Sequence, residues 1–513
     1  MAVQEPASPG RSAAGAEKID AALIRLALVL LAGVVVVQLD ATIVSVALDR
    51  LGRAFEVDIP TVQWVTTAYL LALAMVIPVT GWSVERFGGR RMWMLALALF
   101  LAGSVLCGIA WSIESLIAFR VIQGLGGGLL LPLMQTIMAQ AAGPQRLGRL
   151  MAVVSAPALL TPVLGPVLGG VIIESLSWRW IFLINVPVCI VALVLAWRTM
   201  PPQELSTRAP QRFDGIGFAL LSPGLAAVVY GFAEAGRHGG FTEAAVLVPL
   251  AIGVVLILVF VGYALRTRIV PLIDLRLFRS TSFCGAASLM FLFGISLFGA
   301  LFLLPLYEQQ VRGRSPVEAG LLLAPQGLGM MIGMVVLSRI ADRVSPRAMV
   351  LGGLTLSVLG SVAYTQVTAH TSEVLLGASL VVRGLGLAAA MVPVMSAAYI
   401  GLSVAEIPRA TSAVRIFQQV GASLGTAVLA VVLARQLPDA TGGGRPLDAA
   451  ATAHGYAVSF WWTLGFSIAA VPLGFLLPKR SAVARETDGP VHVDAPEPRS
   501  GPPARVAAAT DGK

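Results

Sequence analysis

Charge is what this chain has least of. Of its 513 residues only 12% are Asp, Glu, Lys or Arg, about half the share of an average soluble domain, and three of the 36 basic residues are lysines. So thin a supply of charge excludes an ordinary soluble enzyme. Cysteine is equally scarce. Cys107, Cys189 and Cys284 sit inside or at the edge of apolar runs, too few for a disulfide framework, and read as buried packing residues. The four histidines, His238, His370, His454 and His492, fall in expected loops or tails, so the pattern indicates neither a metal site nor a buried imidazole relay. No nucleophile or nucleotide motif stands out. The glycine run Gly124 to Gly128 follows no strand and carries no lysine, which excludes a phosphate cradle. These absences point to no enzyme, no cofactor and no ATP. A net charge of +9 would suggest nucleic acid in a soluble chain, but here the placement of the charges outweighs their sum, and no nucleic-acid partner is expected.

Apolar residues are what the chain has in excess: 57% of the total, with a mean hydropathy of +0.84. Fourteen stretches reach the roughly 20 residues that a membrane helix needs. Spans 1 to 7 are Ala22–Leu48, Thr61–Trp82, Met92–Trp111, Leu116–Ala139, Leu150–Ile173, Trp180–Trp197 and Ile216–Phe232. Spans 8 to 14 are Ala244–Leu265, Phe283–Tyr307, Ala319–Ser338, Ala348–Val367, Val374–Tyr399, Ala413–Leu433 and Ala457–Leu477. Helices are the expected form, because lipid-facing backbone must satisfy itself and the runs are too long and non-alternating for barrel strands.

Cytoplasmic loops are enriched in Lys and Arg. With the N-terminus inside, 25 basic residues fall on the cytoplasmic side and 8 outside, so both termini are expected in the cytoplasm of a multi-pass plasma-membrane protein. The first span is too long for a signal-peptide core and is expected to be retained. Few lysines and many Ala, Gly and Arg point to a high-GC bacterial genome. Trp82, Trp111, Trp178, Trp180 and Trp197 lie at span ends and read as interfacial anchors.

An internal echo suggests two related halves, as in many transporters. The turn after span 2, Gly81 to Arg91 with Glu85, Arg86, Gly88 and Arg90, is matched after span 10 by Arg339 to Arg347 with Asp342 and Arg343. Arg120 to Gly126 in span 4 is echoed by Arg383 to Gly386 in span 12. Both echoes are offset by eight spans rather than six. The expected architecture is therefore an all-α polytopic membrane protein of 14 helices arranged 6+2+6. A cytoplasmic tail (1–21) precedes a six-helix bundle (22–200), two inserted helices (201–265), a second six-helix bundle (266–480) and a tail (481–513), both tails disordered by composition.

Several stretches resemble the major facilitator superfamily, specifically its fourteen-helix drug:proton antiporter branch. They include Leu39-Asp40-Ala-Thr42-Ile43-Val44-Ser45 in span 1, Gln63-Trp64 to Leu70 in span 2, and the Gly81 to Arg91 turn with Glu85 where the family has Asp. Arg120-Val-Ile-Gln123-Gly124, Gly165-Pro166-Val-Leu-Gly169-Gly170, Trp178-Arg179-Trp180 to Pro187, Pro271 to Arg279 and Ser315 to Gly320 complete the series. The resemblance implies a major facilitator fold and an efflux function driven by the proton gradient. It implies a latch around Glu85, Arg86 and Arg90 that stabilises the outward-open state, and a gating role for Gly165, Pro166, Gly169 and Gly170. A plain cluster of topogenic charges and a plain helix kink are the respective alternatives.

Two residues carry the candidate chemistry. Asp40 alone of the 27 acidic residues lies well inside an apolar span. Arg120 is a second intramembrane charge, and such residues mark function because burying them is costly. At 1.5 Å per residue, Arg120 lies about 9 Å and Asp40 about 12 Å from the outer ends of their spans, at similar depth. Asp40 is the expected proton carrier, with a purely structural Asp40–Arg120 pair as the alternative. Glu308 is a second acid to consider, otherwise a solvated loop residue. In span 13, Arg415 stands one turn before Gln418, where the branch places Arg. Gln123, Arg383, Arg415, Gln418 and Gln419 are the expected substrate-facing groups, and their net positive charge suits a neutral or anionic amphipathic compound. The leading expectation is a drug:proton antiporter acting as a monomer on a small-molecule substrate. A dedicated exporter of an endogenous metabolite or self-made antibiotic, and a non-transporting receptor or assembly partner, are the alternatives.

Overall fold

A computed structural model describes residues 20–158, 165, 168–169, 171–172, 175–200, 212–340, 344–403, 405–437 and 449–478. Pro166, Gly170, Asp342, Arg343 and the expected tails lie outside the described residues, except that Asp20 and Ala21, placed in the first tail, cap and begin the first helix. All described elements are helical. Among the described residues, twelve helices are long and apolar enough to cross a bilayer. A thirteenth follows if the two pieces of span 2, Thr61–Val76 and Val79–Phe87, bent by 57°, are taken as one. Pro78 stands at that bend, where the missing N–H removes a helical hydrogen bond. The remaining stretch, span 5, is described only in part, as the end of the helix that reaches Ala158 and as 165, 168–169 and 171–172.

The helix of span 1 runs Ala21–Phe55 and ends on Glu56 in the left-handed region. Span 3 is Gly89–Gly108. Span 4 continues without a break as Ile113–Ala158, so the turn expected between spans 4 and 5 is helical. Span 6 is split into Trp180–Leu183 and Asn185–Thr199. Spans 7 and 8 are Gly215–His238 and Ala244–Arg266. Span 9 is Thr281–Gln310, and span 10 is Pro316–Leu321 followed by Ala324–Ile340. Spans 11 to 14 are Pro346–Val362, Glu373–Ala398, Ile407–Gln436 and Ala449–Leu473. Starts are fixed by side-chain caps: Asp58, Asp214, Ser280, Ser315 and Ser345 each accept a first-turn N–H, which satisfies donors the helix cannot.

Packing repeats between the two halves. In the first, span 4 packs on spans 1, 2 and 3, and span 6 on spans 1 and 3; in the second, span 12 packs on spans 9, 10 and 11, and span 14 on spans 9 and 11. The close crossings rest on glycine. A Cβ on Gly126 would lie 2.5 Å from the Phe100 nitrogen, and one on Gly128 2.7 Å from the Leu73 oxygen, so any larger residue would drive spans 2 and 3 away from span 4. Span 11 meets span 12 in the same manner at Gly353, whose Cβ would stand 2.6 Å from the Gly386 oxygen. Span 7 packs on span 8, on span 2 of the first half and on span 13 of the second, so it borders both halves. Trp64 of span 2 stacks on Tyr230 of span 7 at 5.6 Å. Span 8 leaves Leu247, Val255, Leu258 and Leu265 exposed, a surface that suits hydrocarbon.

Candidate functional site

Asp40 and Arg120 meet as their depths require. Arg120 Nη1 donates to Asp40 Oδ2 at 2.6 Å, and neither side chain has exposed surface. The carboxylate's other oxygen accepts from Gln123 Nε2 at 2.9 Å and Asn185 Nδ2 at 2.8 Å. Arg120 Nη1 also donates to Gln123 Oε1 at 2.7 Å, and Arg120 Nε to the Val65 carbonyl at 3.1 Å. Gln123 Nε2 further donates to Ser104 Oγ at 2.8 Å. The guanidinium lies over the Tyr69 ring at 4.0 Å, a cation–π contact strengthened by the loss of water. Spans 1, 2, 3, 4 and 6 thus converge on one carboxylate. Gln123, expected to face substrate, belongs instead to this closed network.

Asn185 and Ser104 were missed from the sequence. The available signal was an amide inside an apolar span, which is costly unless paired. Span 5 touches the same place: Gly165 packs on Thr42, and a Cβ on Gly169 would lie 3.3 Å from the Ile43 carbonyl. Both contacts fall within three residues of Asp40.

In the second half, Arg383 takes the place that Gln123 has in the first, since Gly103 packs on Gln123 as Gly360 packs on Arg383. Its Nη1 donates to Gln326 Oε1 at 2.7 Å and its Nη2 to the Ser296 carbonyl at 2.8 Å, and the residue is 2% exposed. Arg415 crosses between the halves: its Nε donates to Gln135 Oε1 of span 4 at 2.5 Å, and its Nη1 to Gln418 Oε1 at 2.5 Å. Gln419 borders a small cavity with Ala74, Leu225 and Val420, between spans 2, 7 and 13.

Of the residues expected to form a latch, Glu85 pairs with the second half, through a partner that nothing in the sequence singled out. Arg409, at the start of span 13, grips Glu85 with two hydrogen bonds, Nε to Oε1 and Nη2 to Oε2, each 2.8 Å. Such bidentate pairs are among the stronger polar contacts. Gly81 makes room for it, since a Cβ there would stand 3.0 Å from Arg409 Cγ. Gly88 turns the chain at φ 82°, a conformation that favours glycine. Arg86 and Arg90 take no part. Arg86 is exposed, and Arg90 Nη2 donates to the Trp197 carbonyl at 2.7 Å within the first half.

Three further expectations are corrected. Glu308 is not a solvated loop acid: it is 6% exposed, with Arg312 Nη1 at 3.6 Å and Arg314 Nε at 3.5 Å. His238 closes the span 7 helix between Glu234 and Glu243, at 3.4 Å from each, and His454 lies within span 14. Trp178 is packed inside against Phe55 and Phe182 instead of anchoring at an interface.

The sequence pattern of the Major Facilitator Superfamily matches residues 30–426. A protein of Mycobacterium tuberculosis named multidrug resistance protein B homolog is 41% identical over 422 residues, covering 82% of this chain and 78% of that one. The tetracenomycin C resistance and export protein of Streptomyces glaucescens is 32% identical, over 79% of this chain and 75% of its own. Among solved structures, the human organic anion transporter MFSD10 superposes with a TM-score of 0.63 at 19% identity, covering 88% of this chain and 99% of that one, a likeness of fold.

Proposed function

Because the chain belongs to the major facilitator superfamily, we propose that it is a proton-coupled efflux transporter, expelling hydrophobic or amphipathic small molecules by alternating access. Its relatives are named for multidrug resistance and for tetracenomycin C export, which supports outward transport of drug-like compounds. The repeated helix pairings, with spans 7 and 8 set apart, support fourteen helices arranged 6+2+6 and the fourteen-helix antiporter branch. In this reading both termini are cytoplasmic in the plasma membrane. The transporter works as a monomer in the bilayer, and the proton gradient alone supplies the energy.

The observation that carries the proposal is the sealed carboxylate. Asp40 accepts three hydrogen bonds, one charge-assisted, with no exposed surface. Those bonds tie Asp40 to spans 4 and 6 while the Glu85–Arg409 pair closes the cytoplasmic end. When the outer ends part, a proton from outside neutralises Asp40, its hold on Arg120 and Asn185 weakens, and the lobes rock until the latch opens. The proton then leaves to the cytoplasm as substrate enters beside Gln419, Gln418 and Arg415. Movement of span 5 reaches Asp40 through Gly165 and Gly169 on Thr42 and Ile43.

The test uses the full chain in liposomes with a preset pH gradient. Tetracenomycin C and lincomycin serve as first probes because relatives carry those names. Adding a transported probe should discharge the gradient, and Asp40→Asn should abolish the discharge while protein remains in the membrane. Proton exchange preserved in that variant contradicts the assignment. A dedicated exporter of a self-made antibiotic is the second reading, favoured by the tetracenomycin C relative; transport of one compound out of a varied panel would select it.

A further inference from the structure

Each lobe buries a cation in its fourth helix; Arg120 has an acid beside it, and Arg383 has none among the described residues. Arg383 is 2% exposed and donates only to neutral oxygens, those of Gln326 and Ser296. Among the described residues it forms no ion pair. Arg383 stands where the first lobe has Gln123, one helical turn past Arg120: Gly103 of span 3 packs on Gln123 of span 4, and Gly360 of span 11 packs on Arg383 of span 12. Where span 1 offers Asp40 to Arg120, span 9 offers Ser296 to Arg383. A desolvated charge without a counter-charge is costly, so an anion that reached Arg383 would be strongly held.

Two small cavities lie between Arg383 and the Glu308–Arg312 cluster. Arg383 borders a cavity walled by Leu304, Tyr364, Leu380, Phe460 and Thr463, with room for about one water molecule. The hydroxyls of Ser361 and Thr463 on its wall donate to the Ser357 and Ser459 carbonyls, so the guanidinium is the only charge there. Leu304, Tyr364 and Leu380 also wall a second cavity, which extends to Glu308, Arg312 and Glu373. At that outer mouth two acids offset Arg312 and Arg314, so an anion would pass through and settle only at Arg383.

We propose that Arg383 is the docking point for one negative charge, and that the compounds this transporter takes include carboxylates with an apolar body. The proposal deepens the export reading and rests on it for direction of transport, whereas the docking itself is read at equilibrium. The probes are dansyl-undecanoic acid and its primary amide, which differ in the charged group alone. Their binding to the purified full chain in nanodiscs is measured without a proton gradient. The acid should bind at least tenfold more tightly than the amide. Arg383→Gln should erase that preference and leave amide binding unchanged, and Arg383→Lys should keep part of it. Ser296→Asp, which supplies Arg383 with an internal partner and so preserves the fold, should erase it too.

Equal binding of acid and amide by the native chain, no binding of either, or an acid preference that survives both Arg383→Gln and Ser296→Asp overturns the proposal. A preference that millimolar chloride abolishes assigns the site to a small halide and overturns the carboxylate. Loss of export with the acid preference intact would remove the transport reading and leave the docking site standing.

Discussion

Each lobe buries an arginine in its fourth helix, the two offset by one turn, and treats it differently. Arg120 is neutralised by Asp40 and tied to Gln123, while Arg383 is held by an amide and a main-chain carbonyl. The helix crossings around them are alike, so the fold does not dictate the difference. What differs is the turn that carries the arginine and the side chain that the first helix of each lobe offers it, Asp40 or Ser296. A duplicated scaffold can therefore pair a buried cation with an acid in one half and leave it without one in the other.

The largest expected effect breaks that contrast at its strong end. Arg120→Gln leaves Asp40 buried without its cation and should cost about 3–5 kcal/mol of stability. Combining it with Asp40→Asn should recover much of that loss, and Arg383→Gln should cost less than Arg120→Gln because no acid is stranded. Thermal unfolding of the four purified proteins in one detergent checks the order. An equal penalty for the two arginines would show that the lobes do not differ as described.

The seam between the lobes comes next. Glu85→Gln removes a charge-assisted bidentate pair and should shift the balance away from the latched state by about 1.5–3 kcal/mol. Spin-label distances across the cytoplasmic end should lengthen in Glu85→Gln, and the swap Glu85→Arg with Arg409→Glu should restore them. Unchanged distances would reduce the pair to topogenic charge.

Two smaller tests probe the shared scaffold and the unshared chemistry. Gly126→Ala and Gly353→Ala should each destabilise by about 1–3 kcal/mol through overpacking, with similar melting shifts, because both lobes rely on the same close approach. Ser104→Ala removes one acceptor of Gln123 and should cost about 1 kcal/mol. Ser296→Ala removes a hydroxyl that pairs with Ser467 Oγ at 2.9 Å and should cost a similar amount, because Arg383 still donates to the Ser296 main-chain carbonyl. A much larger loss from Ser296→Ala would show that the hydroxyl, 3.4 Å from Arg383 Nη2, is what holds the guanidinium.

Much of this was legible in the sequence because it depends on length and depth. Apolar runs located the spans, and the rise per residue brought Asp40 level with Arg120 before any contact was known. Facing was harder to read. Asn185 lies 145 residues from Asp40 and Arg409 lies 324 from Glu85, and which side of a helix meets which neighbour depends on rotations that one sequence does not reveal. Nothing in the sequence singled out Arg409, and Glu308 looked like a loop acid. Local motif and global packing disagreed most at Gln123. Its place beside Arg120 suggested a substrate contact, whereas the crossing of spans 3 and 4 turns it inward to Asp40.

The most direct measurement is an infrared pH titration of the purified full chain, following the carbonyl stretch of protonated carboxyl groups. The account predicts a buried-carboxyl band that grows as pH falls, is absent from Asp40→Asn and persists in Glu308→Gln. A band unaffected by Asp40→Asn, or one lost with Glu308→Gln instead, would contradict it.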